Sequence, residues 1–143
     1  IGGAGNDTLI ASGVAATFIS LTGGTGIDTF DMTTATSNSN TYATILDASS
    51  GDIIQTSGDT FGSAGITLAG TAVFQDYANE AINTGVDDEV SWFQFGGNTY
   101  IVEEASNANA DFVNGTDMII ELTGLVDLST ASFNATNGTI EIA

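Results

Sequence analysis

The stretch Gly2-Gly3-Ala4-Gly5-Asn6-Asp7-Thr8-Leu9-Ile10 decides how the chain reads, because it returns as Gly23-Gly24-Thr25-Gly26-Ile27-Asp28-Thr29-Phe30-Asp31. Both follow G-G-x-G-x-D-x-(apolar)-x, a nonapeptide pattern of stacked parallel coils. Glycine admits the positive φ of a tight turn and lets carbonyls face inward. The Asp sets a charged oxygen at that turn. The x-apolar-x triplet is a very short strand whose apolar side chain enters the coil. Between the two units, Ala11 to Thr22 carries no such motif, and Ala16-Thr17-Phe18-Ile19-Ser20-Leu21 reads as a strand.

Charge narrows the chemistry. The chain of 143 residues has 18 Asp and Glu, no Lys, Arg or His, and therefore a formal charge of −18. Nucleic-acid binding needs cationic side chains to neutralise phosphates, and docking on anionic lipid needs them too. With no internal cation, neutralisation has to come from outside, and a divalent metal is the natural source. Calcium suits a chain rich in carboxylate, amide and carbonyl oxygen. Zinc, copper and haem sites usually draw on His or Cys, and neither is present. Ser-His, Cys-His and Lys-based catalysis are excluded for the same reason; paired carboxylates of the glycosidase kind remain possible, but nothing else supports them, and no enzyme is expected. No disulfide framework is available. No apolar run approaches the length of a membrane span. The start at Ile1, inside the motif's frame, reads as a fragment or a mature piece of a longer protein.

Further along, residues 33–41 form a polar low-complexity loop. Tyr42 to Asp47 and Asp52 to Gln55 read as strands joined by a turn at 48–51. Ile66 to Phe74 is β-like. Phe74, Tyr77, Ala78, Ala81 and Ile82 have helical spacing, which predicts one helix over about 75–83 with a stop at Gly85. Val90 to Phe95, Gly96-Gly97-Asn98 and Thr99 to Glu103 form a hairpin. Residues 105–110 read as a loop, Asp117 to Thr123 as a strand, and Thr139 to Ala143 as a short closing segment.

The two glycine units resemble the RTX (repeats-in-toxin) family of calcium-dependent exported proteins. The segment Thr44-Ile45-Leu46-Asp47-Ala48-Ser49-Ser50-Gly51-Asp52-Ile53-Ile54 is similar to what commonly follows the last repeat of that family. Trp92 to Val102 and Gly115 to Leu125 resemble the C-terminal region of type I-exported members, which include bacterial S-layer proteins and some secreted proteases. The resemblance implies calcium between turns, held by motif carboxylates and turn carbonyls. Carried over, the candidates are Gly2, Gly3, Ala4, Gly5 and Asp7 from one turn, and Gly23, Gly24, Thr25, Gly26 and Asp28 from the other. Asp7 and Asp28 are 21 residues apart, three more than two nonapeptides, so Asp28 with Asp47, 19 apart, is an alternative pair. The resemblance also implies a Gram-negative type I exporter as a partner during secretion, a secreted or cell-surface location, and a signal within the C-terminal part. Leu122 to Leu128 is expected to be an export signal, a packed strand, or both.

Asp7 and Asp28 read as calcium ligands, while Asp47, Asp52 and Asp59 read equally as ligands or turn residues. Asp87-Asp88-Glu89 reads as a solvated acidic turn, Asp111 and Asp117 as loop borders, and Glu103-Glu104 as solvent-facing. Trp92, Phe93, Phe95 and Tyr100 read as packing residues more than as a carbohydrate-stacking platform. The expected fold is all-β with one short helix. A short parallel β-roll with its closing strands occupies 1–60, and a β-sandwich-like or extended β-roll domain occupies 61–143. The expected role is a calcium-binding structural module that folds outside the cell and self-assembles into an S-layer or surface filament. The alternatives are the C-terminal domain of a secreted hydrolase and an adhesin module.

Overall fold

The two glycine turns lie one directly beside the other. In the computed structural model, which describes residues 1–13, 18–83, 86, 88–105 and 111–143, strand β1 (Gly3–Ala4) pairs in parallel with β4 (Gly24–Thr25). Each turn leads into a longer strand, β2 (Thr8–Gly13) and β5 (Thr29–Ala35), and these are also parallel, with Thr8 opposite Thr29. The chain then returns through β3 (Ile19–Leu21) and β6 (Ala43–Ile45), parallel again, with Ile19 opposite Ala43. A further coil adds β7 (Ile53–Gln55) beside β5, with Thr29 opposite Ile53. One coil thus takes 21 residues and the next 24, neither of them two nonapeptides.

The later strands complete both walls. They are β8 (Thr60–Phe61), β9 (Glu89–Phe95), β10 (Asn98–Glu103), β11 (Met118–Leu122), β12 (Ser132–Asn134) and β13 (Thr139–Glu141), with helix α1 (Phe74–Ile82) between β8 and β9. One sheet runs β3-β6-β11-β10-β9-β8 and the other β12-β13-β7-β5-β2. β11 continues the parallel wall beside β6, whereas β13 lies antiparallel to β7. Strands from beyond residue 60 therefore share sheets with strands from before it. The result is an all-β fold with mixed sheets and one short helix.

Strand alternation explains the core. Leu9, Phe30, Ile54 and Ile140 point inward from one sheet and meet Leu21, Ile45, Leu122, Ile101 and Trp92 from the other. The reverse face of the six-stranded sheet carries Phe93, Tyr100, Val102 and Ile119, and α1 covers it with Ala78, Ala81 and Ile82. Phe74 sets its ring 4.9 Å from that of Tyr100, and Tyr77 stacks 5.1 Å from Phe93. Strands β9 to β11 are covered on both faces, which is why they read as apolar runs. The helix begins where the Asp76 carboxylate accepts the Val73 N–H at 2.9 Å, an acidic group at the helix N-terminus.

Several expectations change. The span Ile66 to Phe74 is not a strand: it holds a single bridge, Ile66 to Phe93, and Phe74 already belongs to α1. Glu103 and Glu104 are not solvent-facing but 3 % and 4 % exposed. Ala16 and Thr17 of the predicted early strand, Gly85, Asp87 and residues 106–110 lie outside the described residues. No helix among the described residues is long and apolar enough to cross a membrane.

Close approach of the turns explains Gly24 and Gly26, whose added Cβ atoms would run into the Gly3 and Gly5 carbonyl oxygens. A Cβ on Gly24 would overlap the Gly3 carbonyl oxygen, and Gly24 holds φ at +106°. Gly24→Ala is therefore expected to destabilise the fold by more than about 1 kcal/mol in urea titration. Gly70→Ala serves as the control, because nothing lies within 4 Å of the added carbon.

Candidate functional site

Each motif aspartate folds back over its own turn. A Cβ on Gly2 would sit 2.7 Å from Asp7 Oδ2 and 2.6 Å from the Gly23 carbonyl oxygen, and a Cβ on Gly23 would overlap Asp28 Oδ2. The first glycine of each motif thus makes room for the carboxylate five residues later. The remaining turn glycines supply the curvature: Gly3, Gly5, Gly24 and Gly26 all have φ between 106° and 130°.

A line of aspartates runs down the stack. The Asp7 N–H donates to Asp28 Oδ1 at 2.9 Å, and the Asp28 N–H donates to Asp52 Oδ1 at 2.9 Å. Asp52 Oδ2 accepts the Ser49 N–H at 2.8 Å and the Ser49 hydroxyl at 3.0 Å. Each carboxylate therefore reaches back one coil and takes a backbone donor there. Asp47 does the same at the mouth of the second turn, where it accepts the N–H groups of Gly23 and Gly24, both at 2.9 Å. Asn6 works in the opposite direction, its Oδ1 accepting the Ile27 N–H at 3.0 Å.

The structure therefore brings Asp7, Asp28 and Asp52 into one line and sets Asp47 against Gly23 and Gly24. Asp59 stands apart, its N–H donating to the Asp88 carbonyl at 3.1 Å. Asp117 is a fully buried brace for the 105–117 connection, its carboxylate accepting the N–H groups of Ala105 at 3.0 Å and Val113 at 2.7 Å. Asp111 is exposed. Trp92, Phe93 and Tyr100 are buried in the two cores, and Phe95 packs against the second.

These bonds do not remove the charge. Paired strands keep a spacing of about 4.8 Å, so stacking the coils holds the motif carboxylates in one region of the molecule, where like charges repel. Asp28 and Asp52 are buried, so solvent screens them little. Asp7 Oδ2 stands out: it is buried and has no hydrogen-bond partner. Among the described residues, no three acidic side chains come together to hold an ion. An ion at these turns would thus take much of its coordination from carbonyl oxygens, a donor type calcium accepts. The unpartnered Asp7 oxygen and the glycine-rich carbonyls fit that chemistry.

A second acidic region lies near the β8 edge, and sequence reading missed its burial. Glu103 accepts from the Ser57 N–H at 3.2 Å and from the Ser57 hydroxyl. The Asp88 N–H donates to Glu104 Oε2 at 3.3 Å, with Asp88 at φ 55°. Glu89 Oε2 is buried without a hydrogen-bond partner. Burial raises the Glu103 carboxyl above its ordinary range, against the lowering effect of Ser57, and the charges of Asp88 and Asp117 add to the rise. The signal available in the sequence was position: Glu103 continues the alternation of an apolar strand.

No family model matches the chain, and no curated protein matches it.

Two outcomes follow from these contacts. Asp52→Ala leaves the buried Asp28 N–H without its acceptor and is expected to cost about 1–3 kcal/mol in denaturant titration. Asp52→Asn, which keeps one acceptor oxygen, should cost less. Because the folded state raises the Glu103 pKa, it favours the neutral acid. That contribution is full below the ordinary value of 4.5 and is lost as pH rises through the raised folded value. Glu103→Gln should therefore be the more stable protein at pH 7, with its advantage shrinking as the pH falls towards 4.5. Melting curves across that window check the sign.

Proposed function

We propose that this chain is an extracellular calcium-binding structural module that folds after type I secretion and assembles with copies of itself. It would serve as a subunit of an S-layer or surface filament on a Gram-negative cell. The observation that carries the reading is the pair of Gly-Gly-x-Gly-x-Asp turns stacked in register, with a buried Asp7 oxygen left unpartnered. Ligands would come from Gly2, Gly3, Ala4, Gly5 and Asp7 of one turn and Gly23, Gly24, Thr25, Gly26 and Asp28 of the next. Asp47 and Asp52 would serve mainly as acceptors of backbone N–H, a role they already fill. Bound calcium would supply positive charge where the chain has none of its own.

The same arithmetic supports a folding switch. At −18 and without cations, the chain repels itself and stays loose where calcium is scarce. Outside the cell, binding to the turns stabilises the folded form alone. Assembly is then a matter of strand edges, because copies of equal charge have no side-chain ion pairs to exchange. β2 and β12 end one sheet, and β3 and β8 end the other. Open edges of this kind template pairing with another chain.

Calcium added to metal-free protein at about 100 times its dissociation constant should raise stability by about 2.7 kcal/mol. Circular dichroism melting reads that gain, and sedimentation velocity run on the same samples should show growth in size. Asp7→Asn should lose most of the calcium-dependent gain while keeping the metal-free melting temperature. A melting temperature indifferent to calcium would return Asp7 and Asp28 to the role of turn residues.

A further inference from the structure

The chain holds two Asn-Gly pairs, Asn114-Gly115 and Asn137-Gly138, and both asparagines are exposed. Such a pair can react with itself. With no side chain on the second residue, its backbone nitrogen can reach the asparagine amide carbon and close a succinimide ring. The fold controls that reaction through two features: where the amide carbon is held, and whether the glycine nitrogen is engaged. The two pairs differ in both.

Asn114 is turned away from its glycine. Its Oδ1 accepts the Ser39 N–H at 2.8 Å, from a residue 75 positions earlier in the chain. The Gly115 N–H is engaged as well and donates to the Ser37 carbonyl at 2.7 Å. Both bonds run to one segment, which the Asn38 and Thr41 backbones close by donating to each other at 2.9 and 3.1 Å. Attack at this pair requires both bonds to break.

Asn137 is folded forward over its glycine. It lies in the turn between β12 and β13, and its Oδ1 accepts the Thr139 hydroxyl at 2.9 Å, two residues on. A side chain whose oxygen reaches residue 139 holds its amide carbon alongside the Gly138 peptide. The same hydroxyl polarises the amide carbonyl and stabilises the oxyanion that forms on attack. The Gly138 N–H donates to no acceptor among the described residues. Gly138 is buried, and the contacts that fix it lie at its carbonyl and its Cα. The carbonyl accepts from the Thr56 N–H at 2.9 Å and the Thr56 hydroxyl at 3.1 Å, and a Cβ would overlap the Thr56 carbonyl oxygen. The glycine is thus held in place while its nitrogen stays unengaged.

We propose that Asn137 is a self-modification site that deamidates in the folded protein. The Gly138 nitrogen loses its proton to hydroxide and bonds to Asn137 Cγ. The Cγ–Nδ2 bond breaks, and ammonia leaves with a proton returned from water. Water then opens the succinimide at either carbonyl and leaves Asp or isoaspartate at position 137. The change is redox-neutral: one water is consumed and one ammonia released. With no Lys or His in the chain to act as base, the rate rises with pH. Either product adds a negative charge to a chain already at −18. Isoaspartate also routes the main chain through an additional carbon, next to the carbonyl that anchors the hairpin to Thr56. The proposal does not depend on the calcium reading, and failure of either leaves the other standing.

The test follows the full folded chain in mildly alkaline buffer over days. Trypsin has no site in a chain without Lys or Arg, so samples are cut with pepsin at low pH and the amide-to-acid mass gain is read in each Asn-Gly peptide. Asn137 is expected to convert about tenfold faster than Asn114, or more. In concentrated urea the two rates should converge, because both differences belong to the fold. Thr139→Val, which removes the hydroxyl, should slow Asn137 by about tenfold, and Thr139→Ser should restore the rate, with melting curves showing that both variants fold. Equal rates in the folded protein, or a faster Asn114, overturn the proposal. A gap that persists in urea overturns it too, as does an Asn137 rate that Thr139→Val leaves unchanged.

Discussion

A chain with eighteen carboxylates and no side-chain cation must find another partner for each charge it buries, and the fold is organised around the answer. That partner is the backbone N–H. Asp28 takes it from Asp7, Asp52 from Asp28 and Ser49, Asp47 from Gly23 and Gly24, and Asp117 from Ala105 and Val113. Hydroxyl and amide donors do the rest, as at Glu121, which accepts from Thr44 Oγ1 at 2.9 Å and from the Tyr100 hydroxyl at 3.1 Å. Charge-assisted hydrogen bonds of this kind are stronger than neutral ones. They also place the acid residues: a carboxylate can be buried only where a loose turn or a coil edge offers an N–H that no strand partner has claimed.

Stacked glycine turns meet this requirement repeatedly. The N–H groups of Gly3 and Gly5 donate to the neighbouring turn's Gly23 and Thr25 carbonyls, and those of Gly23 and Gly24 to the Asp47 carboxylate that the next coil brings up. Without the first glycine of the motif, the aspartate would have no space to fold over its own turn. The short x-apolar-x strand that follows carries Leu9 or Phe30 into the shared core, so one nonapeptide provides turn, charge and core residue together. The antiparallel strands β9 to β11 then close the structure with apolar faces on both sides, supplying burial that two or three short coils do not provide alone.

Local chemistry in the sequence revealed the local elements. The glycine turns, the hairpin over β9 and β10, β7, β11 and the helix all follow from spacing and turn residues. Long-range pairing was not legible. Nothing in Met118 to Leu122 says that this strand lies parallel to β6, or that Thr139 to Glu141 lies antiparallel to β7. Coil lengths of 21 and 24 residues also escaped, because loops between strands can vary without changing which side chains face inward. For the candidate site, the motif identified Asp7 and Asp28, but the partnership of Asp52 with Ser49, the reach of Asp47 into the second turn and the contribution of Asn6 depend on which coil lies beside which. Glu103 and Glu104 were misread because charge was weighed above strand alternation. In a chain without cations, charge is a poorer guide to exposure than usual, since a carboxylate here turns to a neutral donor, to solvent or, at Asp7 Oδ2 and Glu89 Oε2, to no partner at all.

That distinction divides the acidic residues by function. Asp28 has Oδ1 engaged by a fixed backbone donor, and Asp47, Asp52 and Asp117 have both oxygens so engaged. Asp7 is different. It occupies the same place in its motif as Asp28 does in its own, yet its Oδ2 is buried with nothing to accept from. A buried acceptor without a donor is costly, and an ionised one more so. Under the calcium proposal, that oxygen's partner would be supplied from solution. A chain of this composition can hold its shape with neutral donors on many of its carboxylates, while the buried Asp7 Oδ2 and Glu89 Oε2 stay without one. The eighteen negative charges repel one another in the compact state, so the fold depends on these neutral donors to hold its buried carboxylates.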